Sequence, residues 1–139
     1  MHKVIISDTS CFIVLNKINE LGLLRKTYTK VTTTRDVAEE YGEPLPSWVH
    51  ILSPEDKSRQ QYLETQLDKG EASAIALALE MPGCTIILDD YKARQIAERL
   101  GLEITGTLGV IVKAKKIGAI QSIKPYLLKL KSTDFRLTP

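Results

Sequence analysis

Acidic side chains stand at the boundaries of several short apolar runs in this chain. Asp8 follows Lys3-Val4-Ile5-Ile6-Ser7, and the pair Asp89-Asp90 follows Thr85-Ile86-Ile87-Leu88. Glu71 opens the stretch Ala72 to Leu79, which is apolar nearly all round, and Glu39 and Glu40 sit between the apolar residues Val37 and Tyr41. Each acid alone has an ordinary explanation. Asp8 and Asp90 are good helix N-caps, Glu71 suits the positive end of a helix dipole, and Glu39 and Glu40 suit a solvated face. Acids at four separate element boundaries, two of them after runs that must lie inside a sheet, suggest a shared centre instead.

Such a centre needs a counterion. Two unit charges ~4 Å apart repel by about 4 kcal/mol at an effective dielectric of ~20. Converging carboxylates therefore either bind protons or demand a cation. No Lys or Arg stands immediately beside Asp8 or Glu71 in sequence. A hard cation with oxygen preference, Mg²⁺ or Mn²⁺, meets the demand. Other chemistries are poorly provided for. His2 and His50 lie far apart without ligand spacing, which disfavours zinc and a histidine-based nucleophile. Cys11 and Cys84 lie in apolar stretches with no C-x-x-C spacing, as expected for buried, reduced thiols.

The elements that must position these acids alternate in kind. Continuous apolar runs at 3–7 and 85–88 read as strands buried on both faces, with shorter strands over 30–33, 48–52 and 103–105. Helices are predicted over 11–18, 19–26, 36–41, an exposed stretch reaching Leu67, 71–79, 91–100 and after Gly106-Thr107-Leu108-Gly109. The tail reads as helical until near Lys131, then irregular. Asp8-Thr9-Ser10 and Thr34 are cap candidates, and Gly42 and Gly101 are stops. This alternation predicts an α/β fold, a three-layer α/β/α sandwich with a mostly parallel central sheet. In such sheets ligands gather at the carboxyl ends of the strands, where Asp8 and Asp89-Asp90 fall. At 139 residues, with no linker or repeat, one domain spanning residues 1–139 is expected. No apolar run approaches the ~20 residues of a membrane span and no signal-peptide pattern opens the chain, so a cytoplasmic location is expected.

The ordered set Ile5-Ile6-Ser7-Asp8-Thr9-Ser10, Val37-Ala38-Glu39-Glu40, Gly70-Glu71-Ala72 and Leu88-Asp89-Asp90 resembles the acidic motifs of PIN domains. Ala93-Arg94, Gly106-Thr107-Leu108-Gly109 and the Lys-rich ending resemble one poorly characterised prokaryotic subfamily related to toxin-type PIN nucleases. The resemblance implies an acidic pocket for Mg²⁺ or Mn²⁺, cleavage of single-stranded RNA, a homodimer and an antitoxin protein as possible partner. It places the family acids on Asp8, Glu40, Glu71 and Asp90, with Asp89 a further possible ligand and Glu39 the fallback for Glu40. Metal would rest on Asp8, Glu71 and Asp90, and Glu40 would orient or deprotonate the attacking water. Ser10 matches a family hydroxyl near the metal, and helix capping explains it equally well.

The net charge of +2 hides an asymmetry. Setting aside Asp8, Glu40, Glu71, Asp89 and Asp90 leaves 19 basic residues against 12 acidic ones, a formal +7 outside the pocket. From residue 113 onward Lys113, Lys115, Lys116, Lys124, Lys129, Lys131 and Arg136 face only Asp134. A basic surface around an acidic centre suits a polyanion cut at one phosphate, with Arg94, Lys115 and Lys116 as candidate substrate contacts. A solvated helix face is the plain alternative. Two rival functions remain: a catalytically inactive PIN-like module that binds nucleic acid or a partner, and a phosphoacceptor or phosphatase domain on a similar sheet. The second is disfavoured, because the acidic pair follows Leu88 and not the first strand, and Ser10 stands where a second Asp would be needed.

Overall fold

The computed structural model describes residues 4–133. Lys3, Asp134 and Arg136, and the chain beyond Thr133 read as irregular, lie outside the described residues. Strand β1 (Val4–Ser7) is followed by α1 (Thr9–Lys17) and α2 (Gly22–Thr27), then β2 (Lys30–Thr34), α3 (Arg35–Tyr41) and β3 (Val49–Leu52). Helices α4 (Lys57–Leu63) and α5 (Lys69–Leu79) lead to β4 (Thr85–Ile87), α6 (Tyr91–Arg99), β5 (Glu103–Thr105), α7 (Thr107–Lys116) and α8 (Lys124–Lys131).

The five strands form one sheet in the order β3-β2-β1-β4-β5, with every neighbouring pair parallel. Alternation along the strands explains its two covered faces. Ile5, Val31 and Ile87 point into a core built with α1, α2, α7 and Leu130 of α8, whereas Ile6, Ile86 and Leu88 point into a second core built with α5 and α6. Three layers result, as the alternating pattern predicts. Both cysteines are buried and free.

Strand order decides where chemistry can sit. β1 lies mid-sheet; the chain leaves it toward β2 and β3, then crosses back to β4 on its other side. The crevice beyond the carboxyl ends of β1 and β4 is therefore the switch point of the sheet, where ligands bind in open α/β folds. Ser7 pairs with Ile87 in register, which puts Asp8 beside the turn that carries Asp89.

Several boundaries differ from the sequence reading for local reasons. Asn19 takes a left-handed φ of 59°, so the second helix starts only at Gly22. The helix expected to reach Leu67 stops at Leu63; there the chain tightens into i to i+3 bonds from Thr65 to Tyr62 and from Gln66 to Leu63, which still bury Leu67. Helix α5 starts two residues before Glu71, because Asp68 caps it by accepting from the Glu71 N–H at 2.8 Å. Among the described residues no helix is long and apolar enough to cross a membrane.

Candidate active site

Asp8 is only 3% exposed. It caps α1, its Oδ1 accepting from the Cys11 N–H at 3.0 Å, while Oδ2 faces the Asp89 N–H at 3.4 Å. Burial is the largest influence on its carboxyl and pushes it well above the usual carboxylate range. Asp89 and Glu71 push it further, while the Cys11 and Asp89 N–H groups oppose them. Glu71, partly buried in the first turn of α5, is pushed up to about 7. Burial acts first, then the charges of Asp68, Asp90 and Glu40, with the Asp68 backbone N–H opposing. Asp8 thus senses Asp89 and Glu71, while Glu71 senses Asp68, Asp90 and Glu40.

Each remaining acid is held by its own donor. Asp89 accepts from the Thr107 N–H at 2.8 Å and from the Thr107 hydroxyl at 2.6 Å, so it stands at the N-terminus of α7 and ties β4 to that helix. Asp90 caps α6 by accepting from the Ala93 N–H at 3.0 Å. Glu40, in the last turn of α3, accepts from the Thr9 hydroxyl at 2.5 Å. Two glycines make room for these contacts. A Cβ on Gly70 would overlap Oε1 of Glu40, and one on Gly106 would lie 2.9 Å from Oδ1 of Asp89 and 3.0 Å from the Arg94 guanidinium.

The α3 and α5 arms are fastened together beneath the acids. The Thr34 hydroxyl caps α3 by accepting from the Val37 N–H, and it meets the Ser73 hydroxyl at 2.6 Å. Ser73 in turn donates to the Gly70 carbonyl at 2.8 Å. This buried chain of bonds sets the start of α5, and so Glu71, against the helix that carries Glu40.

No ion pair among the described residues neutralises the group. Among the described residues the ion pairs are Arg59–Asp56, Lys69–Asp36 and Lys129–Glu20, none of which includes Asp8, Glu40, Glu71, Asp89 or Asp90. Arg94 lies beside Gly106 but donates to the Leu88 carbonyl at 2.7 Å. A set of oxygen donors with raised carboxyls and no cationic partner fits a hard divalent cation in type and charge. Position is a different matter: among the described residues no group of three or more His, Cys, Asp or Glu is gathered that could hold a metal ion. As placed here, protein N–H and O–H donors hold the acids individually.

The other sequence candidates are scattered. Ser10 is exposed in the first turn of α1, and the capping offered as its alternative role belongs to Asp8. Lys115 and Lys116 lie in the last turn of α7, about 13 Å of helix axis from the end that Asp89 holds. They rim an open hollow with Val112 and Ile123, away from the acids. Lys129 pairs with Glu20 at 2.7 Å, and Lys113 lies over the Tyr28 ring. Glu39 is exposed on α3. Thr9, Asp68 and the Thr34–Ser73 bridge were missed. Of these only Asp68 left a readable signal, the capping pattern Asp68-Lys69-Gly70-Glu71.

A family model described as a PIN domain matches residues 4–139, and the chain belongs to that family. The all-parallel α/β/α sandwich is accordingly a nuclease-type fold, in a family whose members are generally nucleases that use divalent metals. No curated protein matches the chain.

Proposed function

We propose that this protein is a metal-dependent endoribonuclease that cuts single-stranded RNA, with a toxin-like role in the cytoplasm. The observation that carries the reading is the pair Asp8 and Glu71, both pushed toward protonation by burial and neighbouring carboxylates, with neither in an ion pair among the described residues. Asp8, Glu71 and Asp90 would hold Mg²⁺ or Mn²⁺, with Asp89 beside them. When bound, the ion makes water more acidic and offsets charge that builds on the phosphate oxygens.

The chain's own residues supply the rest. The Glu40 carboxylate takes the proton of the attacking water. Water oxygen bonds to phosphorus as the bond to the 3′ oxygen breaks, and the proton returns to that leaving oxygen. The products are a 5′-phosphate and a 3′-hydroxyl. Capping by Asp8 and the Asp89–Thr107 clamp keep the carboxylates on rigid elements. Arg94 and the lysines of α7 would attract the polyanion at longer range. A homodimer and an antitoxin protein belong to the same reading, and the family resemblance supports them.

The test is cleavage of a mixed RNA pool with Mn²⁺ or with EDTA, followed by sequencing of product ends. Cleavage with Mn²⁺ that leaves 5′-phosphate ends, and its absence in EDTA and in Asp8→Asn, is the expected result. Cleavage that persists in Asp8→Asn refutes the assignment. One observation favours a second reading, a binding module without catalysis: Asp8, Glu40, Asp89 and Asp90 already accept bonds from protein donors. RNA retention without cleavage under any divalent metal would select it.

A further inference from the structure

Glu40 is carried near the carboxyl end of α3, on a flexible side chain with three rotatable bonds, and as a residue it is exposed. A carboxylate in that situation ordinarily samples solvent. Two features of this molecule hold it. Tyr41, next in sequence, packs on Phe12 of α1 with ring centroids 5.8 Å apart, which fastens the last turn of α3 to α1. The carboxylate itself accepts from the hydroxyl of Thr9, a buried residue that directly follows Asp8. Gly70 closes the notch, since a side chain there would meet Glu40 Oε1 first and the Thr9 hydroxyl next, at 3.2 Å. Three segments distant in sequence thus converge on one carboxylate.

We propose that Thr9 is a positioning residue for Glu40, its hydroxyl and the notch at Gly70 aiming that carboxylate into the acidic pocket. The inference rests on the nuclease reading, in which Glu40 handles the proton of the attacking water. Thr9 touches neither substrate nor metal in that scheme; it acts only through Glu40. Its hydroxyl needs a partner because it is buried, and the carboxylate gains a short charge-assisted bond in return. The arrangement leaves the second oxygen of Glu40 for the proton transfer.

Two substitutions separate this role from simple packing. Thr9→Val keeps the shape and removes the hydroxyl, whereas Thr9→Ser keeps the hydroxyl and removes a methyl group. Packing alone ranks Val above Ser, and positioning ranks Ser above Val. With Mn²⁺ saturating, kcat of Thr9→Val should fall roughly ten- to hundred-fold, part of the ~10²–10⁴ that a placed general base contributes. KM and Mn²⁺ affinity should stay within about twofold, because only the step that uses Glu40 is touched. Thr9→Ser should recover most of the rate. In a Glu40→Ala background Thr9→Val should add nothing, since the two residues act as one unit.

Carbon-detected NMR of ¹³C-glutamate-labelled protein gives a readout independent of turnover. The Glu40 carboxyl signal should move toward that of exposed Glu39 in Thr9→Val and in Gly70→Ala, and stay in place in Thr9→Ser. Gly70→Ala keeps the question decidable if the valine variant does not fold. An active parent with equal kcat in Thr9→Val, or an unmoved Glu40 signal, overturns the inference alone. A parent with no metal-dependent cleavage overturns the nuclease reading, and the catalytic role of Thr9 falls with it.

Discussion

Of the three acids on helix α3, Asp36 and Glu40 stand one turn apart, and the protein treats them in opposite ways. Asp36 has a cation and an amide: Lys69 lies 3.7 Å from one oxygen, and Gln60 donates to the other at 2.7 Å. Glu40, on the next turn, accepts from a hydroxyl and makes no ion pair among the described residues. The same contrast recurs on α5, where Lys69 turns toward Asp36 while Glu71, two residues on, is pushed toward protonation by burial and neighbouring carboxylates. Among the described residues the three ion pairs, Arg59–Asp56, Lys69–Asp36 and Lys129–Glu20, all fall on acids outside the pocket. The hydrogen bonds to the pocket acids come from N–H and O–H groups, which hold a carboxylate in place without cancelling its charge. That difference preserves a demand for an external cation, and it can be attacked from either side.

Removing charge from the pocket should give the largest effect. Asp8→Asn should lower Mn²⁺-dependent cleavage by roughly three orders of magnitude, because a metal contributes several kcal/mol to the transition state and each 1.36 kcal/mol is tenfold. At a pH high enough to ionise the Asp8 carboxyl, the same variant should be about 1–3 kcal/mol more stable than the parent in EDTA, since Asn caps as well as Asp and one repelling charge is gone. Saturating Mn²⁺ should shrink or reverse that order, because the ion binds only the folded parent appreciably. Thermal melts of both proteins under both conditions make the comparison. A less stable Asp8→Asn in EDTA would break the picture of repelling carboxylates.

A pH titration sharpens the same contrast. The folded-state carboxyl of Glu71 lies at about 7 against an ordinary value of 4.5, so between those values the folded chain binds more protons than the unfolded one. Stability from this group is therefore fully present below about pH 4.5 and lost as pH rises through about 7. In EDTA the parent should lose about 1–3 kcal/mol across that window, a range already discounted for the exposed part of the side chain. Denaturant melts of Glu71→Gln should lack this slope. An equal slope in the variant would assign the loss to other groups.

A third measurement concerns the basic end of α7. If Lys115 and Lys116 follow a phosphate backbone, their double replacement by Ala should reduce the logarithmic salt slope of RNA binding by about 1.4, or ~0.7 for each phosphate on a single strand. Replacing Lys129, which is held by Glu20, should change the slope less. Fluorescence titrations from low to high salt decide this, and an unchanged slope would leave both lysines as plain surface.

The smallest effect belongs to the neutralised acid. The Lys69 side chain is 68% exposed, so Lys69→Ala should move stability by no more than about 0.5 kcal/mol and leave Mn²⁺ affinity unaltered. A large change in metal affinity would mean that Lys69 also tunes the pocket, and Asp36 and Glu40 would no longer be separate cases.

Much of this was readable before any coordinates. Continuous apolar runs at 3–7 and 85–88 announced the strands Val4–Ser7 and Thr85–Ile87 as covered on both faces, because a parallel strand has no solvent side on which to alternate. Asp8, Thr34 and Asp90 announced helix starts, because short polar side chains satisfy the free N–H groups of a first turn. Those local rules also put acids at strand ends and so marked the region of the site. Contacts between distant segments were not readable. Asp89 faces Thr107 rather than capping its own helix, Thr9 faces Glu40, and Thr34 faces Ser73, each across at least 18 residues of sequence. Nothing in the local pattern of a threonine says which acid it will meet. The lysines were legible only as composition, since charge adds over the chain, whereas a substrate sees only what one surface presents. Residue order determined the elements, their caps and the acids at their ends. Strand order, with β1 between β2 and β4, decided which of those ends meet, because chain crossing and two-sided burial are satisfied only when the whole sheet closes its cores.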